Sequence, residues 1–320
     1  MRRRRILAGC SPDERGDDAL VLAALVARGT GAAVTAANVH PPPWPARGPG
    51  AVDAEWLAYL RSRAEEVVAA SARRLAELGV PAADVEPRVH AHRGSGRGLI
   101  EVAAETGADL VVIGSAPRGR RGRIAVGSTA DQLLHGSPVP VLLAPRGYGA
   151  AAPARLDRLT AAYWRRRDAG GGPVDAAAGW AAALDVPMRL LTLVLRPPAV
   201  AARFRDSGEV LERQRERAEE DLARAAARVA GVRAGTEMST EVSIEVSTEA
   251  VTGASVGKAL AAVDMLPGEV LACQSGHHGP LRKVFLGESS GKIVRSAPRP
   301  VLVLPRGASR SGTGTNAQLR

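Results

Sequence analysis

The chain has 320 residues, a formal net charge of +10, 45% hydrophobic residues and only 3% aromatic ones. That length suits two domains of about 150 residues each, and a core with so few rings is Ala/Val/Leu packing, which favours helices on a parallel sheet over an aromatic-rich β-sandwich. The positive charge suits anionic partners, but it is scattered and aromatic residues are scarce, so nucleotides are expected and nucleic acid is not; two cysteines, Cys10 and Cys273, make no disulfide framework and point to a reducing cytoplasm, and no apolar run approaches the roughly 18–20 residues of a membrane span.

In chain order, MRRRRILAGC places a basic start before Leu-Ala-Gly-Cys, as a lipoprotein signal does. Only Ile6–Gly9 intervene, whereas a signal needs about 7–15 apolar residues there. Ile6–Cys10 therefore reads as the first strand. Ser11–Gly16 is turn-like, and Asp17-Asp18 place negative charge where a helix N-terminus favours it. That helix ends near Gly29, and Ala33–Val39 is the second strand. Pro41–Pro43 force an extended exit, and residues 44–54 read as a surface loop. Leu57, Leu60, Ala64, Val67, Ser71, Leu75 and Leu78 recur at steps of three and four, one face of a long helix. Val85–His92 is a third strand, Gly94–Gly98 a turn and Leu99–Thr106 a helix.

Gly107–Gly147 is the most informative stretch. Asp109–Ile113 is an apolar run ending in Gly114, as a buried parallel strand should be. Gly127-Ser128-Thr129 opens a helix whose first amides have no partner within it. Those amides and four loop arginines, Arg118, Arg120, Arg121 and Arg123, are expected to face one anion. Val139–Leu143 is the closing strand. Residues 1–147 thus alternate strand and helix as a five-stranded α/β unit, whose ligands sit beyond the carboxyl ends of the strands.

Residues 148–155 read as a linker. The pattern then repeats over 156–307: strand Leu159–Tyr163, helix Val174–Leu184, strand Met188–Leu195, long helix Glu209–Val229, strand Val242–Ser247, helix Gly257–Val263 and strand Val270–Cys273. GSPVPVLLAPRG at Gly136–Gly147 and SAPRPVLVLPRG at Ser296–Gly307 agree at seven of twelve positions, an internal repeat. Residues 308–320 read as a disordered tail.

Gly114, Gly127 and Ser128 stand at the spacing of a Gly-x2-Gly-x9-Gly-Ser motif, with Pro117 at the middle glycine. With the Pro-x-Pro-Val-Leu-Leu strand, the chain resembles a tandem universal stress protein over nearly all of both halves. The resemblance implies two tandem five-stranded parallel-sheet domains of the adenine nucleotide alpha hydrolase-like kind, paired through their closing strands as an intrachain pseudo-dimer. It implies a cytoplasmic stress-response sensor or regulator binding ATP in its first half, with Mg²⁺ accompanying the nucleotide. The implied contacts are Gly9, Ser11 and Asp13 after the first strand, Val39 at the adenine, and Ile113, Gly114, Arg118, Gly127, Ser128 and Thr129 at the phosphates. Ser11 stands where the family's ribose-binding Asp is expected, and Pro117 has no amide hydrogen to donate. In the second half Trp164, Gln274, His277, Gly287 and Glu288 occupy the corresponding places. Glu288 would repel a phosphate at the helix start, so the second half is expected to pair rather than to bind.

Two alternatives remain: a scaffold of the same fold that has lost the nucleotide, and a slow ATPase or hydrolase. For the latter, Gly253-Ala-Ser255-Val-Gly257 fits a nucleophile elbow, followed by Asp264 and His277 or His278, but the elbow belongs to a larger sheet and turnover is not expected. Gly257-Lys258 and Gly291-Lys292 lack phosphate-loop spacing. His90/His92 have no carboxylate at ligand spacing in sequence and read as strand-end histidines. A protein partner and a homodimer are left open.

Overall fold

The computed structural model describes residues 2–42, 51–163, 172–196, 207–230, 244–274 and 288–305. The expectations for Trp164, His277, His278, Gly287 and the 308–320 tail lie outside those residues.

The first half runs β1 (Arg5–Gly9), α1 (Glu14–Thr30), β2 (Ala33–His40), α2 (Ala51–Glu77), β3 (Val85–Ala91), α3 (Ser95–Thr106), β4 (Leu110–Gly114), α4 (Ser128–Gly136) and β5 (Val141–Ala144). The second runs β6 (Arg158–Ala162), α5 (Gly172–Leu184), β7 (Met188–Leu195), α6 (Ser207–Ala230), β8 (Val246–Gly253), α7 (Val256–Ala261), β9 (Glu269–Gln274), α8 (Glu288–Ser296) and β10 (Val301–Leu304). All ten strands join one sheet in the order β3-β2-β1-β4-β5-β10-β9-β6-β7-β8. Pairing is parallel within each half and antiparallel where β5 meets β10, with Leu142 opposite Leu302. The two halves are therefore related as the subunits of a dimer are, inside one chain. Neither Pro140 nor Pro300 has an amide hydrogen, yet their carbonyls accept from Val111 N (3.0 Å) and Leu271 N (2.9 Å), so each closing strand starts in register.

Alternation along each strand sends successive residues to opposite faces. Ile6 and Ala8 pack with Leu22 of α1, Leu75 of α2, Ala177 of α5 and Leu222 of α6. Leu7 faces the other layer, with Leu99 of α3, Leu133 of α4, Leu260 of α7 and Ile293 of α8. Both layers run through both halves. Each fully buried leucine stabilises by about 1.5–3 kcal/mol, so the halves hold each other by the same means that hold each one.

The N-terminal arginines fasten β1. Arg2 pairs with Asp109 (2.6 Å) and Arg3 with Asp84. Arg4 lies over the Trp180 ring of α5 at 4.8 Å, reaching the other half. Arg5 donates to Thr106 O at 3.1 Å.

Several boundaries differ from the sequence reading, each for a local reason. Helix α1 begins at Glu14 rather than at Asp17-Asp18, because the Asp13 carboxylate accepts from Arg15 N and caps it. Gly31, at φ 65°, closes its other end. Helix α2 begins at Ala51, inside the expected 44–54 loop. Gly94–Gly98 is not a turn, since α3 starts at Ser95. A Cβ on Gly96 would lie 2.5 Å from Thr129 O, so glycine here lets α3 lie against the start of α4. The strand expected at Val242–Ser247 is found at Val246–Gly253, where Val246 pairs with Met188 and Gly253 with Leu195. The stretch between β5 and β6 carries a short 3-10 turn at Gly149–Ala151. It is pinned by buried Asp18, which accepts from Gly147 N (2.8 Å) and Gly149 N (2.7 Å). Burial pushes the Asp18 carboxyl up in pKa against those two amides.

Candidate functional site

A cleft of about 360 Å³ opens at the carboxyl ends of β1 and β4, where the strand order reverses. Gly9, Ile113 and Gly114 line it from the sheet, Ala37, Asn38, Val39 and Leu99 from the side of β2 and α3, and Ser115–Pro117 with Gly127–Ala130 from the side of α4. Gly114 is needed for packing: a Cβ there would lie 2.2 Å from Arg15 O. That contact seats the first turn of α1 against the end of β4.

The start of α4 is the anion-seeking end. Its N-cap, Gly127, has no side chain, and the first intrahelical bond runs from Asp131 N to Gly127 O at 2.8 Å. The amides of the first turn and the helix dipole favour negative charge there, by about 0.3–1 kcal/mol for an exposed anion and up to about 2 for a partly buried one. Two hydrogen bonds hold this end in place. Ser95 Oγ and Thr129 Oγ1 are 2.6 Å apart, and Ser115 Oγ accepts from Ala125 N at 2.8 Å.

Eight of the ten residues implied by the resemblance line the cleft: Gly9, Ser11, Val39, Ile113, Gly114, Gly127, Ser128 and Thr129. Asp13 and Arg118 are not among the residues lining it. Asp13 is turned to α1, where it caps the helix, accepts from Ser11 Oγ (2.6 Å) and pairs with Arg15 (2.5 Å). The Arg15 guanidinium lowers its pKa to about 2. The four loop arginines do not converge. Arg121 pairs with Glu14 (2.5 Å), Arg123 donates to Gly122 O (3.1 Å), and Arg118 and Arg120 are exposed. Glu14 lies outside the cleft and also draws Arg146 (3.5 Å), so the loop is fastened there.

Arg15, Asn38, Ser95 and Ser115 line the cleft without having been singled out by sequence. Asn38 carried a signal, as an amide near the end of an apolar strand; its Nδ2 donates to Cys10 O at 2.9 Å. Arg15 carried none, since one arginine among 43 Lys+Arg is unmarked. Cys10 also lines the cleft, but burial pushes its thiol up to about 11, and that of Cys273 up to about 12. Both are protonated at neutral pH and pack as small hydrophobes.

In the second half, Gln274 ends β9 and its carbonyl accepts from Ser290 Oγ of α8 at 2.6 Å. Ser255 of the elbow-like motif is the N-cap of α7, accepting from Lys258 N at 3.3 Å. His90 of β3 and His92 just after it do have a carboxylate: the fold brings Glu101 of α3 to 2.7 Å from His90 Nε2 and 3.6 Å from His92 Nε2. Among the described residues no group of His, Cys, Asp and Glu has the arrangement of a metal site. No helix among them is long and apolar enough to cross a membrane.

The geometry defines a doubly wound α/β protein made of two like halves, with a cleft at the switch point of the first. A sequence profile of the universal stress protein family matches residues 2–145 and again 170–305. The chain is 39% identical over 311 residues to universal stress proteins of Mycobacterium tuberculosis and Mycobacterium bovis, covering 94% of this chain and 99% of each relative. The crystal structure of a universal stress protein from Archaeoglobus fulgidus superposes with a TM-score of 0.59 at 17% identity, over 96% of this chain and all of that one. A functionally unknown protein from Pseudomonas aeruginosa gives 0.53 at 16% identity, over 95% of this chain and 92% of that one. The chain belongs to the universal stress protein family, in its tandem form.

Proposed function

We propose that this tandem universal stress protein is a cytoplasmic sensor that binds an adenine nucleotide, ATP, in the cleft of its first half. The observation that carries this reading is the start of α4, which has no side-chain cap, on a cleft that also presents the apolar side chains of Ala37, Val39 and Leu99. One end suits phosphate and the other a base. No carboxylate lines the cleft among the described residues, so any Mg²⁺ would be held by the nucleotide's own phosphates and water. Binding rather than turnover is the proposed role. The second half, whose Gln274 carbonyl is already satisfied, serves as the pairing half through β10.

Calorimetric titration of the full chain with ATP tests this. Micromolar binding is expected, about 8 kcal/mol in free energy, and Gly127→Glu should abolish it by putting a carboxylate at the helix start. A wild type that gives no heat rejects the nucleotide, and equal binding by both proteins rejects the placement. Phosphate release that Ser255→Ala removes would instead favour a hydrolase.

A further inference from the structure

The anion end of the cleft has donors from α4 but, at Pro117, a residue with no amide hydrogen. We propose that Arg15 completes this end by binding a ligand phosphate, so that the cleft selects phosphorylated nucleotides over the bare nucleoside. The proposal rests on the nucleotide reading above and names the side chain and the ligand feature it recognises.

Placement comes first. Arg15 lines the cleft, and its carbonyl lies so close to Gly114 that a Cβ there would come within 2.2 Å. Its backbone is thus fixed beside the end of β4, the strand from which the chain leaves toward the start of α4. Orientation follows. Nε and Nη2 donate to Asp13 at 2.8 and 2.5 Å, and Asp13 is itself held by the Ser11 hydroxyl at 2.6 Å. The guanidinium is planar and rigid, so two tied donors set the direction of Nη1, which takes no part in those bonds. Charge completes the case. Among the described residues lining the cleft, Arg15 alone carries a formal charge. The nearby Arg121 and Arg146 turn to Glu14 instead. Ser11 and Asp13 therefore act on the ligand through Arg15, as positioning residues.

Titrations with ATP and with adenosine, on the full chain and on Arg15→Ala and Arg15→Lys, test the assignment, with thermal midpoints as the check on folding. Arg15→Ala should weaken ATP by roughly 10–100-fold, the loss of one charge-assisted hydrogen bond, and leave adenosine unchanged. Arg15→Lys should recover part of the loss. Unaltered ATP binding, or an equal loss for both ligands, overturns the role of Arg15 while leaving the nucleotide reading intact. A wild type that binds neither ligand rejects the nucleotide reading itself, and this proposal with it.

Discussion

The two halves share a fold and differ in what their strand ends carry. In the first, β4 ends on Gly114, α4 starts without a side-chain cap, and a cleft opens at the carboxyl ends of the strands. In the second, β9 ends on Gln274 and Ser290 reaches across to its carbonyl. The amino ends reverse the contrast. Asp109 in the first half accepts from Arg5 N (2.9 Å) and meets the exposed Arg2. Its counterpart in the second half, Glu269, is fully buried and held by Arg158 (2.7 Å), Arg189 and Thr160. Arg189 is buried too and also reaches Glu249 (2.5 Å). Among the described residues, the duplicated fold thus shows a cleft in the first copy and a buried charge network in the second, while both copies contribute a strand to the shared centre.

The largest effect is expected from breaking the charge network. Glu269→Gln takes the carboxylate from Arg158 and leaves Arg189 with Glu249 alone, and should cost about 3 kcal/mol, the lower end for a broken buried pair, read from the denaturation midpoint. The change Asp109→Asn, at the half-buried counterpart whose partner Arg2 is exposed, should cost far less. Equal costs would remove the contrast between the amino ends. The network also predicts a pH dependence. Burial alone would raise the Glu269 pKa, but the bonds from Arg158, Thr160 and Leu266 N and the charge of Arg189 outweigh it, and the folded value lies below the usual one. The unfolded chain then binds the proton more readily. The Glu269 contribution is present above the unfolded pKa and is lost as pH falls through the folded one. Acid unfolding of the wild type should therefore contain a component that Glu269→Gln removes.

An intermediate effect is expected at the strand ends. Gly114→Ala forces a Cβ against Arg15 O, and the backbone must shift. A loss of about 1–3 kcal/mol, together with weakened ATP binding, should follow. Gln274→Ala at the equivalent place should leave the thermal midpoint nearly unchanged, because Ser290 bonds to the backbone carbonyl and not to the side chain. A stable Gly114→Ala with unaltered affinity would mean that the seat of α1 is not what shapes the cleft.

The smallest effect concerns the Ser290–Gln274 bond of the second half. Ser290→Ala removes one buried hydrogen bond, worth about 1 kcal/mol. It should lower stability by that amount without creating an ATP site, as a titration on the Gly127→Glu background would read. ATP binding there would show that this one bond is what keeps a nucleotide from the second half.

The sequence by itself determined the architecture. Strand runs bounded by glycine and proline, a continuous apolar helical face along α2 and two matching closing segments specify two α/β halves, because buried parallel strands and amphipathic helices leave periodic signals. It also marked most of the cleft, since glycines and a Gly-Ser helix start at fixed spacing lie at strand ends. Only the tertiary structure decided which charges face the cleft. Arg118, Arg120, Arg121 and Arg123 looked like the anion site because they are neighbours in the chain, but Glu14, more than a hundred positions away, takes Arg121 and fastens the loop. Arg15 took the place at the cleft because the contact between its carbonyl and Gly114 puts it there. His90 and His92 likewise acquired Glu101 only when α3 packed beside β3. Periodicity is a property of one segment and can be read from it. Pairing of charges depends on which segments meet, and no single segment encodes that.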